Sequence, residues 1–131
     1  MQELSLRSTR REEMINITRA LESLVKENGW ENGALLVFCP HTTAGLTINE
    51  AADPDVARDM TAYMGRLIPK DAGFSHAEGN SDAHIKTSLM GPYTMLIVDK
   101  GRIRLGTWQG VWFCEWDGPR RREFWAQFLP A

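Results

Sequence analysis

The C-terminal third of the chain, residues 92 to 130, restricts the fold more than any other segment. It reads PYTMLIVDKGRIRLGTWQGVWFCEWDGPRRREFWAQFLP, with two polar interruptions at Asp99-Lys100-Gly101 and Asp117-Gly118-Pro119. Runs rich in branched and aromatic residues predict strands, and Asp and Gly clusters between them predict turns. We therefore expect three or four strands in this segment, and the short connections favour antiparallel pairing.

Three more strands are predicted upstream. The stretch QELSLRST near the N-terminus alternates polar and apolar residues, which is typical of a half-buried strand. Residues 34 to 39, ALLVFC, form a continuous apolar run that predicts a strand covered on both faces. The segment GLTINEA predicts a further strand.

Two or three helices are predicted between these strands. INITRALESLVKENG has helical spacing and ends at Gly29, with an apolar face formed by Leu21, Leu24 and Val25. Asp53 as N-cap and Pro54 at the first helical position predict a second helix. Its expected buried stripe comprises Val56, Met60, Met64 and Leu67. Ser81 or Asp82 is expected to cap a third, short helix that ends at Gly91.

These patterns predict an α+β fold. A chain of 131 residues is the size of one ordinary domain, so we expect a single compact domain over residues 1–131. Its sheet should be mostly antiparallel or mixed and partly covered by two or three helices. The aromatic load between Trp108 and Phe128 exceeds what one solvated sheet face normally carries, which indicates contact with another chain.

Charge and composition argue against several partners. The net charge is -2 and the pI is near 5.9, so no global field favours nucleic acid or an acidic membrane. The N-terminal MQELSLRSTRREEM has no apolar signal core and no segment approaches membrane-spanning length, so we expect a cytoplasmic protein. Cys39 and Cys114 form no CxxC pair and are expected to be reduced, buried thiols.

All three histidines of the chain lie beside turn-like sequences. His41 follows the apolar run of residues 34 to 39, and His76 and His84 lie in SHAEGNSDAHIKTSLMG. The last two would be about 25 Å apart on an extended chain, so they meet only if the loop folds back at Gly79. Three converging imidazoles would form an open zinc site, whereas structural or solvent-exposed histidines are the alternative.

Carboxylates and arginines near these motifs are further candidates. Glu50, Asp82 and Glu115 could act as general bases, orient imidazoles or hold Mg²⁺ to a phosphate, although Asp82 could equally be a helix cap and Glu115 could face water. The run Arg120 to Arg122 fits phosphate recognition or an ordinary solvated surface equally well.

Taken in order, the motifs HTTAGLTINEAADPDV, GNSDAHIK and LGTWQGVWFCEWDGPRRR resemble the secondary thiamine-phosphate synthase enzyme family, long catalogued as an uncharacterised protein family. The resemblance covers nearly the whole chain. It implies a compact α+β homotrimer and transfer of a pyrimidinylmethyl group from its diphosphate to a thiazole phosphate, with release of pyrophosphate. That activity is regarded as secondary in the family.

The resemblance also implies a set of site residues. The expected catalytic residues are His41, His76, His84, Glu50 and Asp82, and the three histidines are also the expected ligands of zinc or another divalent transition metal. Mg²⁺ is expected with a diphosphate substrate. The expected substrate-binding residues are Thr42, Thr43, Asn49, Asn80, Trp108, Gln109, Glu115 and Arg120.

Two other functions remain open from the residues. A three-histidine zinc site suits hydrolysis better than pyrimidinylmethyl transfer, which favours a metal-dependent hydrolase or lyase acting on a small phosphorylated or heterocyclic substrate. The other alternative is a non-catalytic trimeric binding protein.

Overall fold

The chain folds into two antiparallel sheets and three helices, and the computed structural model describes all 131 residues. The strands are β1 (Gln2–Arg7), β2 (Glu13–Asn16), β3 (Gly33–Phe38), β4 (Ala44–Glu50), β5 (Tyr93–Asp99), β6 (Arg102–Arg104), β7 (Gln109–Glu115) and β8 (Arg121–Pro130). The helices are α1 (Thr18–Glu27), α2 (Pro54–Leu67) and α3 (Ser81–Met90). The predicted α+β class is confirmed.

The strands form a five-stranded sheet of order β1-β8-β3-β5-β6 and a three-stranded sheet of order β2-β7-β4. All pairings are antiparallel. The expected turn between β5 and β6 is present, and Lys100 and Gly101 both have positive φ there. The strand β2 was not predicted, because its four residues lie in a segment that we assigned to polar sequence and to the start of a helix.

The main core lies between the two sheets and α1. Leu21 and Val25 of α1 pack with Leu35 and Val37 of β3 and with Phe113 of β7, all of which are buried. A second cluster lies on the other face of the three-stranded sheet, where Trp112, Cys114 and Trp116 pack against α2 and α3. The strand β7 is therefore buried on both faces and holds the sheets and helices together.

The sequence patterns predicted the starts and ends of the helices better than they predicted which helix residues are buried. Asp53 caps α2 and accepts a hydrogen bond from the Asp55 backbone N–H, and Gly29 has positive φ just after α1. However, α2 has no fully buried residue and Leu67 is exposed, so the predicted buried stripe is only partly correct. The cap of α3 is Asn80, and neither Ser81 nor Asp82 fills that position.

The aromatic load of the C-terminal segment has a different explanation from the one expected. Trp112, Phe113, Trp116 and Phe124 are buried inside the chain, and Trp108 is the most exposed aromatic of the segment. Two packed sheets and three helices bury more aromatic surface than the single solvated face that we assumed. Burial of these side chains therefore does not require a partner.

The outer face of the five-stranded sheet is apolar and uncovered. Tyr93, Met95 and Ile97 of β5 are exposed, and β3 adds Phe38 and β8 adds Leu129. The prediction that β3 is covered on both faces is wrong for the single chain, because only its inward side chains meet the core. None of the three helices has the length and hydrophobicity needed to cross a membrane.

Candidate functional site

A polar cavity of about 700 Å³ lies where four loops and the start of α3 meet. Its wall combines residues between β1 and β2, residues that follow β3, residues before α3 and residues between β7 and β8. No hydrophobic residue lines it. The lining residues are Arg11, Pro40, His41, Thr42, Thr43, Lys70, His76, Glu78, Gly79, Asn80, His84, Asp117, Arg120 and Arg122. We call this space the histidine cavity, because all three histidines of the chain line it.

His76 and His84 are brought together by the loop before α3. Gly79 has φ of +75°, which lets the chain reverse between them. Their ring centroids are 5.8 Å apart and the rings meet edge to face. His76 Nε2 also lies 3.7 Å from a Glu78 carboxylate oxygen. The loop therefore folds back as expected from the sequence.

His41 is fixed by the backbone of β8. Its Nε2 lies 2.9 Å from the Glu123 N–H nitrogen and 3.1 Å from the Glu123 carbonyl oxygen. Burial and the nearby Arg122 charge lower the pKa of His41, although the Glu123 carbonyl oxygen, which would accept from a protonated ring, opposes this shift. The imidazole is therefore neutral at neutral pH.

The three histidines line one cavity but do not form a metal centre. No group of three or more His, Cys, Asp or Glu side chains in the chain has the arrangement needed to hold a metal ion. The Nε2 of His41 is already engaged by Glu123. The predicted metal-binding character is therefore corrected. The expectation of Mg²⁺ with a diphosphate substrate stays a prediction.

Asp82 lies behind the cavity wall and holds Arg11. Both carboxylate oxygens of Asp82 accept hydrogen bonds from Arg11 at 3.0 Å, and one also accepts from Lys86 Nζ at 2.7 Å. Burial alone would raise the pKa of Asp82, but the hydrogen bonds from Arg11 and Lys86 outweigh it and hold the pKa at about 2. An ionised, fully buried carboxylate with these partners fixes Arg11 and is a poor general base.

Glu115 holds Arg122 in the same way on the other side of the cavity. Arg122 Nε donates to Glu115 at 2.8 Å, and its Nη2 donates to Thr43 Oγ1 at 2.8 Å. Ser8 Oγ donates to Glu115 at 2.7 Å. Burial opposes ionisation of Glu115, but the Arg122 and Ser8 hydrogen bonds lower its pKa. Glu115 is buried in this network, so the alternative that it faces water is wrong.

Asp117 and Asn80 form a third polar contact in the wall. Asp117 Oδ2 accepts hydrogen bonds from Asn80 Nδ2 at 2.9 Å and from Arg120 Nη2 at 3.2 Å. Arg120 Nε also donates to the Asp117 carbonyl oxygen at 2.9 Å. Asn80 Oδ1 is buried and has no hydrogen-bond partner. Each of the three arginines in the wall is thus oriented by its own carboxylate.

The remaining predicted site residues lie elsewhere. Asn49 and Glu50 end β4, opposite Gly110 and Gln109 of β7, whereas the cavity lies at the Ala44 end of the same ladder. Six strand steps separate the two ends by about 20 Å. Within one chain, Asn49, Glu50, Trp108 and Gln109 are therefore not brought to the histidine cavity.

Local contacts account for part of this second group. Trp112 Nε1 donates to the carbonyl oxygens of Asn49 and Glu50, and Gln109 Oε1 accepts from the Gly106 N–H. Trp108 is 63% exposed, and its carbonyl oxygen accepts a hydrogen bond from the Ala51 N–H at 2.7 Å. The Gln109 contact lies in the loop that joins β6 to β7, and the Asn49 and Glu50 contacts connect β4 to β7.

Sequence reasoning missed Arg11, Lys70 and Lys86. Arg11 binds Asp82 from a distant position in the sequence, and Lys86 binds it from one turn later in α3. Lys70 lines the cavity from the loop after α2. In the sequence Arg11 belongs to an ordinary charged run, STRREEM, so no local signal marked it. The i, i+4 spacing of Asp82 and Lys86 could have indicated their contact, but not their burial.

The two cysteines do not contribute to the cavity chemistry. Cys39 and Cys114 are free and buried. Burial raises the pKa of Cys39 to about 11 and that of Cys114 to about 12. Neither thiol therefore supplies a thiolate nucleophile at neutral pH.

Comparison with known proteins identifies close relatives over nearly the whole length. The family model of the UPF0047 protein YjbQ-like group matches residues 2–131. UPF0047 protein YugU of Bacillus subtilis is 48% identical over 127 residues, which cover 96% of each chain. UPF0047 protein MJ1081 of Methanocaldococcus jannaschii is 48% identical over 124 residues, which cover 95% of this chain and 90% of the relative.

Solved structures agree with these sequence matches. A YjbQ/UPF0047 family protein from Clostridium acetobutylicum superposes with a TM-score of 0.96 at 46% identity, covering 98% of this chain and 100% of the relative. The protein APE1520 from Aeropyrum pernix K1 superposes with a TM-score of 0.94 at 31% identity, covering 99% and 98% of the two chains.

These matches correct the functional expectation. The matching family model is the UPF0047 group, and neither it nor these relatives are described as a thiamine-phosphate synthase. The predicted family and its thiamine-phosphate synthase activity, the pyrimidinylmethyl transfer, are therefore wrong. The matches support neither the metal-dependent hydrolase or lyase nor the non-catalytic trimeric binding protein in their place.

Proposed function

From the premise that this chain belongs to the UPF0047 YjbQ-like family, we propose that its histidine cavity binds a small, polar, phosphorylated ligand. The observation that carries the proposal is the composition of the wall. Four basic side chains line it, namely Arg11, Lys70, Arg120 and Arg122, and no hydrophobic residue does. Pockets for drug-sized ligands are lined mainly by hydrophobic and aromatic side chains, so a wall without any of them favours a small and strongly polar ligand.

The arginines are oriented before any ligand arrives. Asp82 holds Arg11, Asp117 holds Arg120 and Glu115 holds Arg122. A guanidinium that is already fixed loses little conformational entropy when it donates to an oxyanion. Their carboxylate partners offset much of the positive charge. These arginines therefore orient a bound ligand by hydrogen bonds more than they attract it by charge.

Attraction of an anion has two further sources. Lys70 lines the cavity and forms no salt bridge. The helix α3 begins at the cavity and has no side-chain cap, while Ala83 and His84 donate to the Asn80 carbonyl oxygen. The Ser81 and Asp82 N–H groups are left without intrahelical partners, and a helix start favours phosphate.

Calorimetric titration with inorganic phosphate and with pyrophosphate tests this function. We expect saturable binding of at least one of them, weakened by Lys70→Ala and reduced as salt rises, because exposed charges are screened. Lys26→Ala is the matched control, since Lys26 is an exposed lysine on α1 outside the cavity. No saturable binding to the unmodified protein, or equal losses in the two variants, would refute the proposal.

A second proposal concerns assembly. The apolar face formed by Phe38, Tyr93, Met95, Ile97 and Leu129 lies across three adjacent strands of one sheet. A contiguous apolar patch on a single chain is typical of a protein interface. We propose that further copies of this chain cover it, with the homotrimer as the expected assembly, and light scattering at micromolar concentration tests this directly.

A further inference from the structure

We infer that His41 presents its Nδ1–H to the histidine cavity as a neutral hydrogen-bond donor to the bound oxyanion. The donor role rests on the proposed binding function. The assignment of the proton to Nδ1 rests on the backbone geometry of β3 and β8 and does not depend on the proposed function.

His41 lies just beyond the point where β3 stops pairing with β8. β3 pairs with β8 as far as Phe38 opposite Trp125. Continuing that register by two residues would bring Pro40 opposite Glu123, but β3 has already ended and proline has no N–H. The N–H and the carbonyl group of Glu123 are thus left at the end of the ladder. The His41 imidazole occupies this position and brings Nε2 to both of them.

Nε2 of His41 lies within hydrogen-bond distance of both the N–H and the carbonyl oxygen of Glu123. It can accept from the N–H or donate to the carbonyl oxygen, but a neutral imidazole has only one proton. The N–H contact is the shorter one, 2.9 Å against 3.1 Å. Unpaired backbone N–H groups are also rarer in partly buried structure than carbonyl groups with spare acceptor capacity. Nε2 is therefore the acceptor, and the proton lies on Nδ1.

The side-chain hydrogen bonds of His41 are confined to Glu123, and the residue lines the cavity beside Thr42 and Arg122. An Nδ1 lone pair in this position would repel an oxyanion, whereas an Nδ1–H attracts one. The tautomer set by Glu123 is thus the one that suits an anionic ligand, and it removes both nitrogens of His41 as metal ligands or general bases in this state.

Nitrogen NMR tests the tautomer without any ligand. The chain has three histidines, so long-range ¹H–¹⁵N spectra of labelled protein are assigned by comparison with His76→Gln and His84→Gln. We expect His41 at neutral pH to show a protonated Nδ1 and an unprotonated Nε2. The reverse pattern would overturn the inference even if phosphate binds.

Two substitutions test the donor role with inorganic phosphate as the probe. The amide oxygen of His41→Gln lies near the former Nε2 and can still accept from Glu123, but this variant has no donor at Nδ1. His41→Asn has an amide nitrogen near the former Nδ1 but does not reach Glu123. We expect His41→Gln to fold normally and lose about tenfold or more in phosphate affinity. We expect His41→Asn to unfold at lower urea concentration and, while folded, to bind phosphate more tightly than His41→Gln.

The outcomes separate the two proposals. Failure of the unmodified protein to bind either phosphate or pyrophosphate contradicts the proposed function, while the NMR result still decides the tautomer. Normal phosphate affinity in folded His41→Gln contradicts the donor role alone. Loss of affinity in His41→Gln together with the expected tautomer supports both.

Discussion

The Lys86 ammonium lies 2.7 Å from the Asp82 carboxylate one turn earlier in α3, and the two side chains are only 1% and 0% exposed. Lys86 also donates to Glu12 at 2.8 Å and lies 5.9 Å from the centre of the Trp116 ring. Asp82 in turn holds Arg11 at the cavity wall. This buried pair therefore connects the packing of α3 to the position of a cavity arginine.

Removal of one member of this pair should be costly. We expect Lys86→Met to lower the free energy of unfolding by about 3–5 kcal/mol, because it leaves the buried Asp82 charge with Arg11 as its only cationic partner. Urea denaturation measures the change. Arg58→Ala is the control, since Arg58 and Asp55 form an exposed pair that should contribute little. Equal effects of the two substitutions would contradict the structural role of Lys86.

The stability of the protein should fall in acid through Asp82. Its pKa is held at about 2 in the folded protein, below the value of about 3.9 for an unfolded aspartate. A carboxyl group with a lowered folded pKa stabilises above its unfolded pKa, and the contribution of about 2 kcal/mol is lost as pH falls from there toward 2. Glu115, whose pKa is also lowered, adds in the same direction.

Urea unfolding between pH 7 and pH 3 measures this acid dependence. We expect the unmodified protein to lose more stability over that interval than Asp82→Asn, because the amide does not titrate. Parallel pH curves for the two proteins would show that Asp82 is not the group responsible. A measurement at pH 7 and high salt controls for the general effect of net charge.

A charge on the uncovered sheet face should disrupt assembly without unfolding the chain. We expect Ile97→Lys to give monomers, because Ile97 is 66% exposed in the single chain and a lysine there would be buried unpaired by a second copy. Light scattering reports the mass and circular dichroism reports the fold. Ser23→Lys on the exposed face of α1 should leave the assembly unchanged. A monomeric unmodified protein would refute the assembly proposal.

Two glycines should respond in opposite ways to a methyl group. In Gly110→Ala the added Cβ would lie 2.5 Å from the Ala51 Cβ and 3.1 Å from Thr18 Oγ1, so we expect a loss of about 1–3 kcal/mol. Gly65 lies inside α2 with its nearest atom at 3.6 Å, and Gly65→Ala should add about 0.5–1 kcal/mol from helix propensity. Thermal unfolding of the two variants compares these signs.

The sequence by itself determined the local structure wherever one short-range interaction dominates. Asp53 and Pro54 start α2, Gly29 follows the end of α1, and Lys100-Gly101 turns β5 into β6, because caps and tight turns are decided by a few neighbouring residues. The alternating and continuous apolar runs likewise predicted six or seven of the eight strands, and only β2 lies outside the predicted segments. The folding back of the loop at Gly79 was also predictable, since glycine permits the reversal.

Only the tertiary structure decided which residues of different elements contact each other. Glu115 is buried and bonded to Arg122 and Ser8, and it does not face water. Asp82 is buried and bonded to Arg11 and Lys86, and it does not cap the helix. The β4–β7 register separates Glu50 and Trp108 from the histidine cavity. The sequence did not show this separation, because both residues lie close to other motif residues along the chain. Long-range ion pairing and strand register depend on residues far apart in the chain, so no local pattern reports them. The bond between His41 and Glu123 is of this kind, because it forms only when β3 ends beside β8.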